Sequence, residues 1–351
     1  MKNKWGVYPG NNIPGENKCI GRIISRNRDL YLIADDNDIY NARLRGNILH
    51  SINEAAELPV VGDWVCYEVH DNLAIIKQLL PRFSAISRKV AGDTTEEQPI
   101  AANINIVAIV FGLDGGRNYN SRALERYLTL AWNSGAQPLV ILNKSDLCSD
   151  PQSVKNEAEY VAPGVDVILT SAKQGDGVNL LRSMLLDSLT IVFIGPSGVG
   201  KSALSNALLG SESQQTGLLR ESDKRGKHTT SSSMMYCVQG GGVLIDSPGL
   251  KEIQLWGELE NVDAVFDDIS ALAASCKFND CTHQGEPGCA VQNALAEGTL
   301  DPIRYDSYLE LKKELVYLEA KKDERARHQL RSKDKKFGKM LKDMKNRKIV
   351  Y

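Results

Sequence analysis

The chain has 351 residues, of which 42% are hydrophobic and 25% charged, and a formal net charge of -2. That is length enough for two or three domains with ample core, and the composition excludes a mainly disordered, collagenous or membrane-embedded chain. The charge is unevenly spread. Residues 321–351 hold thirteen Lys/Arg against four Asp/Glu, and the rest hold 29 against 40, so an acidic body carries a basic arm suited to a polyanionic partner.

No apolar run reaches the roughly 18 residues of a membrane span, and the longest, Ile104 to Leu113, is strand-sized. Met1 to Gly15 has lysines but no apolar stretch of the secretory type. The expected compartment is the cytoplasm, with no membrane partner. Seven cysteines in such a chain do not read as a disulfide framework; Cys19, Cys66, Cys148 and Cys237 are scattered and expected to be reduced, buried small residues.

Five short strands are expected in the first 90 residues: Cys19 to Ile24, Leu30 to Ala34, Ile39 to Leu44, Trp64 to Val69 and Leu73 to Leu80. Turn residues separate them, as at Asp35-Asp36-Asn37-Asp38, which fits an OB-fold or an SH3-like barrel. Near residue 100 the pattern changes. The apolar run at Ile104 to Phe111 precedes a helical stretch, Ser121 to Trp132. Buried-strand runs then follow at Pro138 to Leu142, Val165 to Thr170, Thr190 to Ile194 and Gly242 to Ile245, alternating with helical segments in the first three cases. Such alternation predicts a parallel sheet with helices on both faces. Beyond about residue 260 the chain reads as helical and ends in the basic arm.

Gly195-Pro196-Ser197-Gly198-Val199-Gly200-Lys201-Ser202 matches GxxxxGK[ST], placed after a strand and opening a helix that continues through Ala203. Its glycines let backbone N–H groups surround phosphate oxygens at a helix N-terminus. Lys201 is expected to reach the β- and γ-phosphates and Ser202 to ligate Mg²⁺. Asn143-Lys144-Ser145-Asp146 follows the strand ending at Leu142 and selects the base. Guanine offers two adjacent donors, N1–H and the 2-amino group, to the single Asp146 carboxylate, whereas adenine presents a lone pair there. Asn143 can contact the purine and brace the phosphate loop, and the Lys144 stem can lie over the ring. Thr170-Ser171-Ala172-Lys173 follows the next strand and can offer a backbone N–H to guanine O6. Asp246-Ser247-Pro248-Gly249 closes a further strand: Asp246 is placed to hold a Mg²⁺-bound water, and Gly249 to bring its N–H to the γ-phosphate. The polar stretch from Lys224 to Thr230 has the character of a switch loop, with Thr229 or Thr230 completing the Mg²⁺ shell. The base motifs precede the phosphate loop, the reverse of the ordinary GTPase order, which is the mark of a circular permutation.

Cys276-x₄-Cys281-x-His283-x₅-Cys289 supplies three sulfurs and an imidazole, the donor set of one closed structural zinc site. Gly285, Pro287 and Gly288 supply turns that can bring the four together.

Taken together, these motifs resemble the bacterial circularly permuted, ribosome small-subunit-dependent GTPases, over nearly the whole chain. The resemblance implies an OB-fold barrel, a P-loop GTPase domain and a mainly α zinc-binding domain. It also implies late maturation of the 30S subunit, with GTP hydrolysis stimulated by that subunit. Leu250 stands after DSPG where many GTPases carry glutamine, and the resemblance assigns the water-positioning role to a histidine before the switch threonines, matching His228. Residues 1–90 carry a surplus of only two positive charges over negative ones, so the tail is expected to supply much of the RNA affinity. The expected divisions are 1–95 barrel, 96–262 GTPase domain, 263–320 zinc-binding domain and 321–351 basic tail. The partners are GTP/GDP and the 30S subunit with its rRNA, bound by a monomer. The competing readings are a P-loop kinase or ATPase, and an RNA-binding module in which GTP is a structural or switch ligand.

Overall fold

The computed structural model describes residues 2–8, 19–27, 30–46, 57–71, 73–89, 97–115, 119–186, 188–210, 233–246, 262, 265–278, 280–283 and 285–316. His228, Thr229, Thr230, Gly249 and the basic tail lie outside them. The chain divides into two compact units, Met1–Lys89 with Glu96–Gly257, and Val90–Thr95 with Glu258–Tyr351.

The first unit opens with a small hairpin, β1 (Lys2–Asn3) and β2 (Gly6–Val7). Five strands follow: β3 (Cys19–Asn27), β4 (Leu30–Ala34), β5 (Ile39–Leu44), β6 (Trp64–His70) and β7 (Leu73–Leu79). They pair in the order β3-β4-β5-β7-β6, and β6 returns to β3 to close the barrel. β5 and β7 are parallel while the other barrel pairs are antiparallel. A parallel pair within a closed five-stranded barrel is the Greek-key arrangement of the OB-fold and decides between the two expected barrels. Inward residues Ile23, Ile33, Ala42, Val65, Tyr67, Ala74 and Ile76 form its core. Of the four scattered cysteines only Cys66 is buried as expected; Cys148 is half-buried, and Cys19 and Cys237 lie at strand ends and are exposed.

After the hairpin of β8 (Ala85–Lys89) and β9 (Glu97–Ala102), the chain builds the α/β sheet. Its strands are β10 (Ile106–Gly112), β11 (Gln137–Asn143), β12 (Val167–Leu169), β13 (Thr190–Ile194), β14 (Met234–Cys237) and β15 (Val243–Asp246). Their spatial order is β12-β11-β10-β13-β15-β14, all parallel except β14. Every residue of β10 is buried, as expected of a strand covered on both faces. Helices α1 (Ser121–Asn133), α2 (Pro151–Val161), α3 (Val178–Ser183) and α4 (Lys201–Leu209) cross between strands. The Asn120 and Asp150 side chains cap α1 and α2. The sheet does not stop at β14: Met234 pairs with Ser25 of β3, so barrel and α/β sheet form one eleven-stranded sheet among the described residues.

Arg22 of β3 is fully buried at this junction. Its guanidinium donates to the Gly62 carbonyl (3.0 Å), the Asn103 carbonyl (2.7 Å), the Thr190 hydroxyl (2.9 Å) and the Trp5 carbonyl, and lies over the Trp64 ring. Burial pushes this guanidinium down to about 9, with the Asp63 charge opposing, so it stays cationic at neutral pH. Gly6 is required beside it, because a Cβ there would sit 2.0 Å from the guanidinium nitrogen.

The second unit contains α5 (Asp267–Ala274), α6 (Ala290–Glu297) and α7 (302–316). Arg304 of α7 makes a two-pronged bond to Asp268 of α5 at 2.8 and 2.9 Å and lies over the Phe266 ring.

Candidate functional site

The parallel strands deliver the predicted motifs to one edge of the sheet, the carboxyl ends where open α/β folds bind ligands. The phosphate loop follows β13. Gly195 has φ +131°, and a Cβ on it would lie 2.2 Å from the Val110 carbonyl of β10. Pro196 is half-buried, Ser197 and Gly198 are exposed, and Val199 is buried and pins the loop into the core. Gly200 has φ +97°, and a Cβ there would meet the Asn143 amide nitrogen at 2.3 Å. Only glycine fits at these two points. Helix α4 starts at Lys201, whose ammonium donates to the Gly195 and Pro196 carbonyls, both at 2.6 Å. Ser202 and Ala203 are exposed on its first turn.

The base motif follows β11. Asn143 is buried and ties three segments together. Its amide nitrogen donates to the Val199 carbonyl (2.9 Å), and its oxygen accepts from the Thr170 hydroxyl and the Ala172 N–H, each at 3.1 Å. Asn143 thus hydrogen-bonds both the phosphate loop and the Thr170-Ser171-Ala172-Lys173 segment. Ser171 is buried, and its N–H bonds the Asp176 carbonyl at 3.0 Å; Lys173 is exposed. Lys144 adopts φ 61° and sends its ammonium to the Gly198 carbonyl (2.7 Å) and to Asp114. Ser145 and Asp146 begin a short helical turn and are half-buried. Asp246 ends β15 with an exposed side chain. All the predicted base and phosphate residues among the described ones therefore meet at this edge. Asp114 was not legible beforehand, since nothing marks a lone aspartate after a buried strand.

In the second unit, the atoms offered by Cys276, Cys281, His283 and Cys289 all lie within 4.8 Å of one another. Cys276 Sγ is 3.9 Å from Cys289 Sγ, and His283 Nδ1 is 3.6 and 3.4 Å from those sulfurs. A tetrahedral ion with bonds of about 2.3 Å to sulfur separates its sulfur ligands by roughly 3.8 Å, so the cluster fits zinc. Cys289 caps α6 and accepts the Gln292 N–H at 3.4 Å. His283 sits at φ 60°, and its carbonyl accepts from the Gln292 side chain (2.6 Å) and the Tyr305 hydroxyl (3.3 Å). Those two supports were missed in the sequence; a glutamine three residues after a capping cysteine was the one available signal.

A permuted phosphate-loop GTPase with an appended three-cysteine, one-histidine cluster is the class that this fold and site define. The sequence profile of the RsgA GTPase family matches residues 79–256. A relative from Oceanobacillus iheyensis, small ribosomal subunit biogenesis GTPase RsgA 1, is 40% identical over 350 residues, covering 99% of both chains. Another, small ribosomal subunit biogenesis GTPase RsgA of Opitutus terrae, is 41% identical over 313 residues, covering 86% of this chain and 85% of its own. Among solved structures, YjeQ from Thermotoga maritima superposes with a TM-score of 0.64 at 25% identity, covering 86% of this chain and 99% of that one. YloQ, described as a circularly permuted GTPase, gives 0.61 at 26% identity, covering 86% and 96%. The chain belongs to the RsgA GTPase family. No helix among the described residues is long and apolar enough to cross a membrane.

Proposed function

We propose that this chain hydrolyses GTP in the biogenesis of the small ribosomal subunit, binding GTP and GDP at the sheet edge and the 30S subunit with its rRNA. Family membership supports the reading. The observation that carries it in the structure is Asn143, which joins base motif and phosphate loop into one preformed site. Asp146 accepts the two guanine donors. Lys201 leaves the loop carbonyls for the β- and γ-phosphates, while Ser202 and Asp246, with Thr229 or Thr230, hold Mg²⁺ directly or through water. Gly249 offers its N–H to the γ-phosphate. His228 aligns the attacking water, a task for which Leu250 has no hydrogen-bonding group. Cys276, Cys281, His283 and Cys289 hold one structural Zn²⁺, which when bound supplies a cross-link between the ends of α5 and α6. The basic tail neutralises RNA phosphates. The protein works as a cytoplasmic monomer, divided at residues 95, 262 and 320.

The test is GTP turnover by the full chain with and without purified small subunits. The reading expects slow basal hydrolysis and strong stimulation. Preference for ATP would point to a kinase or ATPase, and nucleotide binding without turnover would leave GTP as a structural ligand.

A further inference from the structure

Lys144 is held at both ends. Its backbone lies in the left-handed region, which L side chains seldom adopt, and its ammonium is gripped by the Gly198 carbonyl at 2.7 Å and by the Asp114 carboxylate. Asp114 comes two residues after β10, and β10 lies between β11 and β13, the strands that carry the base motif and the phosphate loop. Gly112 of β10 is opposite Asn143 of β11 in the register. The carboxylate thus emerges in the gap between the two halves of the nucleotide site. The ion pair is partly exposed, with 25% and 28% of the two side chains accessible.

A lysine stem has many rotamers, and ordering it on binding lowers affinity. An unpaired ammonium beside a triphosphate would also be drawn toward the phosphates, off the face of the base. A fixed carboxylate removes both effects. We propose that Asp114 is a positioning residue for guanine nucleotides: it anchors the Lys144 ammonium beside Gly198 so that the stem is already stretched across the base position, and it thereby sets nucleotide residence time. The inference rests on the GTP-binding reading. It extends that reading to a residue acting only through Lys144.

The experiment is stopped-flow dissociation of N-methylanthraniloyl-GDP from the full-length protein with Mg²⁺. Asp114→Ala is expected to speed dissociation about fivefold, in line with loss of one partly exposed charged hydrogen bond. Asp114→Glu, which keeps the charge, should return most of the loss. Lys144→Ala should also speed release, and the double variant should be no faster than Lys144→Ala, because the two side chains act as one unit. Raising ionic strength should speed release from the wild type more than from Asp114→Ala. Wild-type dissociation from Asp114→Ala, or single effects that multiply in the double variant, would overturn the proposal. If Asp114→Ala does not fold, the isosteric Asp114→Asn carries the same comparison. Failure of the wild type to bind the labelled GDP would instead sink the underlying GTP reading.

Discussion

Asn143 is buried and spends its amide on protein partners, and in the proposed reading the guanine donors fall to Asp146. Asp146→Asn presents an amide that matches the 2-keto group of xanthine in place of the 2-amino group of guanine. Affinity for GDP is expected to fall at least tenfold, since loss of a charged hydrogen-bond partner costs about 1.5–3 kcal/mol, while affinity for XDP should rise. Calorimetry with both nucleotides checks this, and unchanged GDP binding would refute the assignment. His228→Ala is expected to bind a non-hydrolysable GTP analogue and the small subunit nearly normally. Its stimulated kcat should drop at least tenfold, about 1.4 kcal/mol of barrier, as for an interaction made only in the transition state. Wild-type stimulated turnover would return the role to another group. At this scale the sequence was highly legible, because phosphate and guanine chemistry fix both residue types and short spacings. Asp114 was not, because its partner Lys144 lies 30 residues away and only the pairing of β10 with β11 brings them together.

The loop between α5 and α6 shows how an element can be read from its chemistry before its shape is known. The three cysteines and the histidine stood out by type alone, yet their spacing did not reveal the supports. Gln292 reaches back from α6 and Tyr305 reaches from α7 to the same His283 carbonyl. Gln292→Ala is expected to weaken zinc retention roughly tenfold or more, as loss of a group that orients a ligand typically does. Competition with a chromogenic chelator measures it, and unchanged release would make the contact incidental. Cys281→Ser should remove the zinc and expose the region after residue 265 to proteolysis, while guanine nucleotide binding persists. A variant keeping one full equivalent of zinc with unaltered cleavage would argue against the cross-link. The barrel illustrates the opposite limit. Its strands were legible from alternation and turns, but an OB-fold and an SH3-like barrel differ in which distant strands pair, and that is decided by the parallel β5–β7 ladder. The β8–β9 hairpin was not anticipated for the same reason, since its two strands find one another across intervening residues.

Across the whole first unit, Arg22 joins segments that no sequence pattern links. One guanidinium serves acceptors from the β1–β2 turn, the segment before β6, the segment after β9 and the first residue of β13. Arg22→Ala would take a charged donor away from buried acceptors in four segments, of which the Gly62 carbonyl keeps a second donor in the Asn103 side-chain amide at 3.1 Å. We expect a loss of about 3 kcal/mol or more in urea unfolding. Arg22→Lys should recover little, because a single ammonium cannot reproduce the fork. A loss below about 1 kcal/mol would show that the junction holds without it. Truncation after residue 320 should leave this unit intact, yet weaken subunit binding and flatten its dependence on salt. A full-length salt slope from the truncated protein would deny the tail that role.

The seam between Ser25 and Met234 has a bearing on what the sheet offers to other chains. A strand at the border of a sheet offers unpaired N–H and C=O groups to any passing strand, and it is a template for aggregation unless something covers it. β14 would be such a border if the α/β sheet ended there. Because Ser25 of β3 pairs with Met234, and because the barrel closes on itself through β3 and β6, the Met234 end of β14 meets a closed barrel. The barrel is thus a guard for the sheet as well as a module in its own right. A fragment confined to residues 96–262 would keep every nucleotide motif yet leave the Met234 end of β14 without its β3 partner, and it should self-associate in sedimentation at concentrations where the full chain does not.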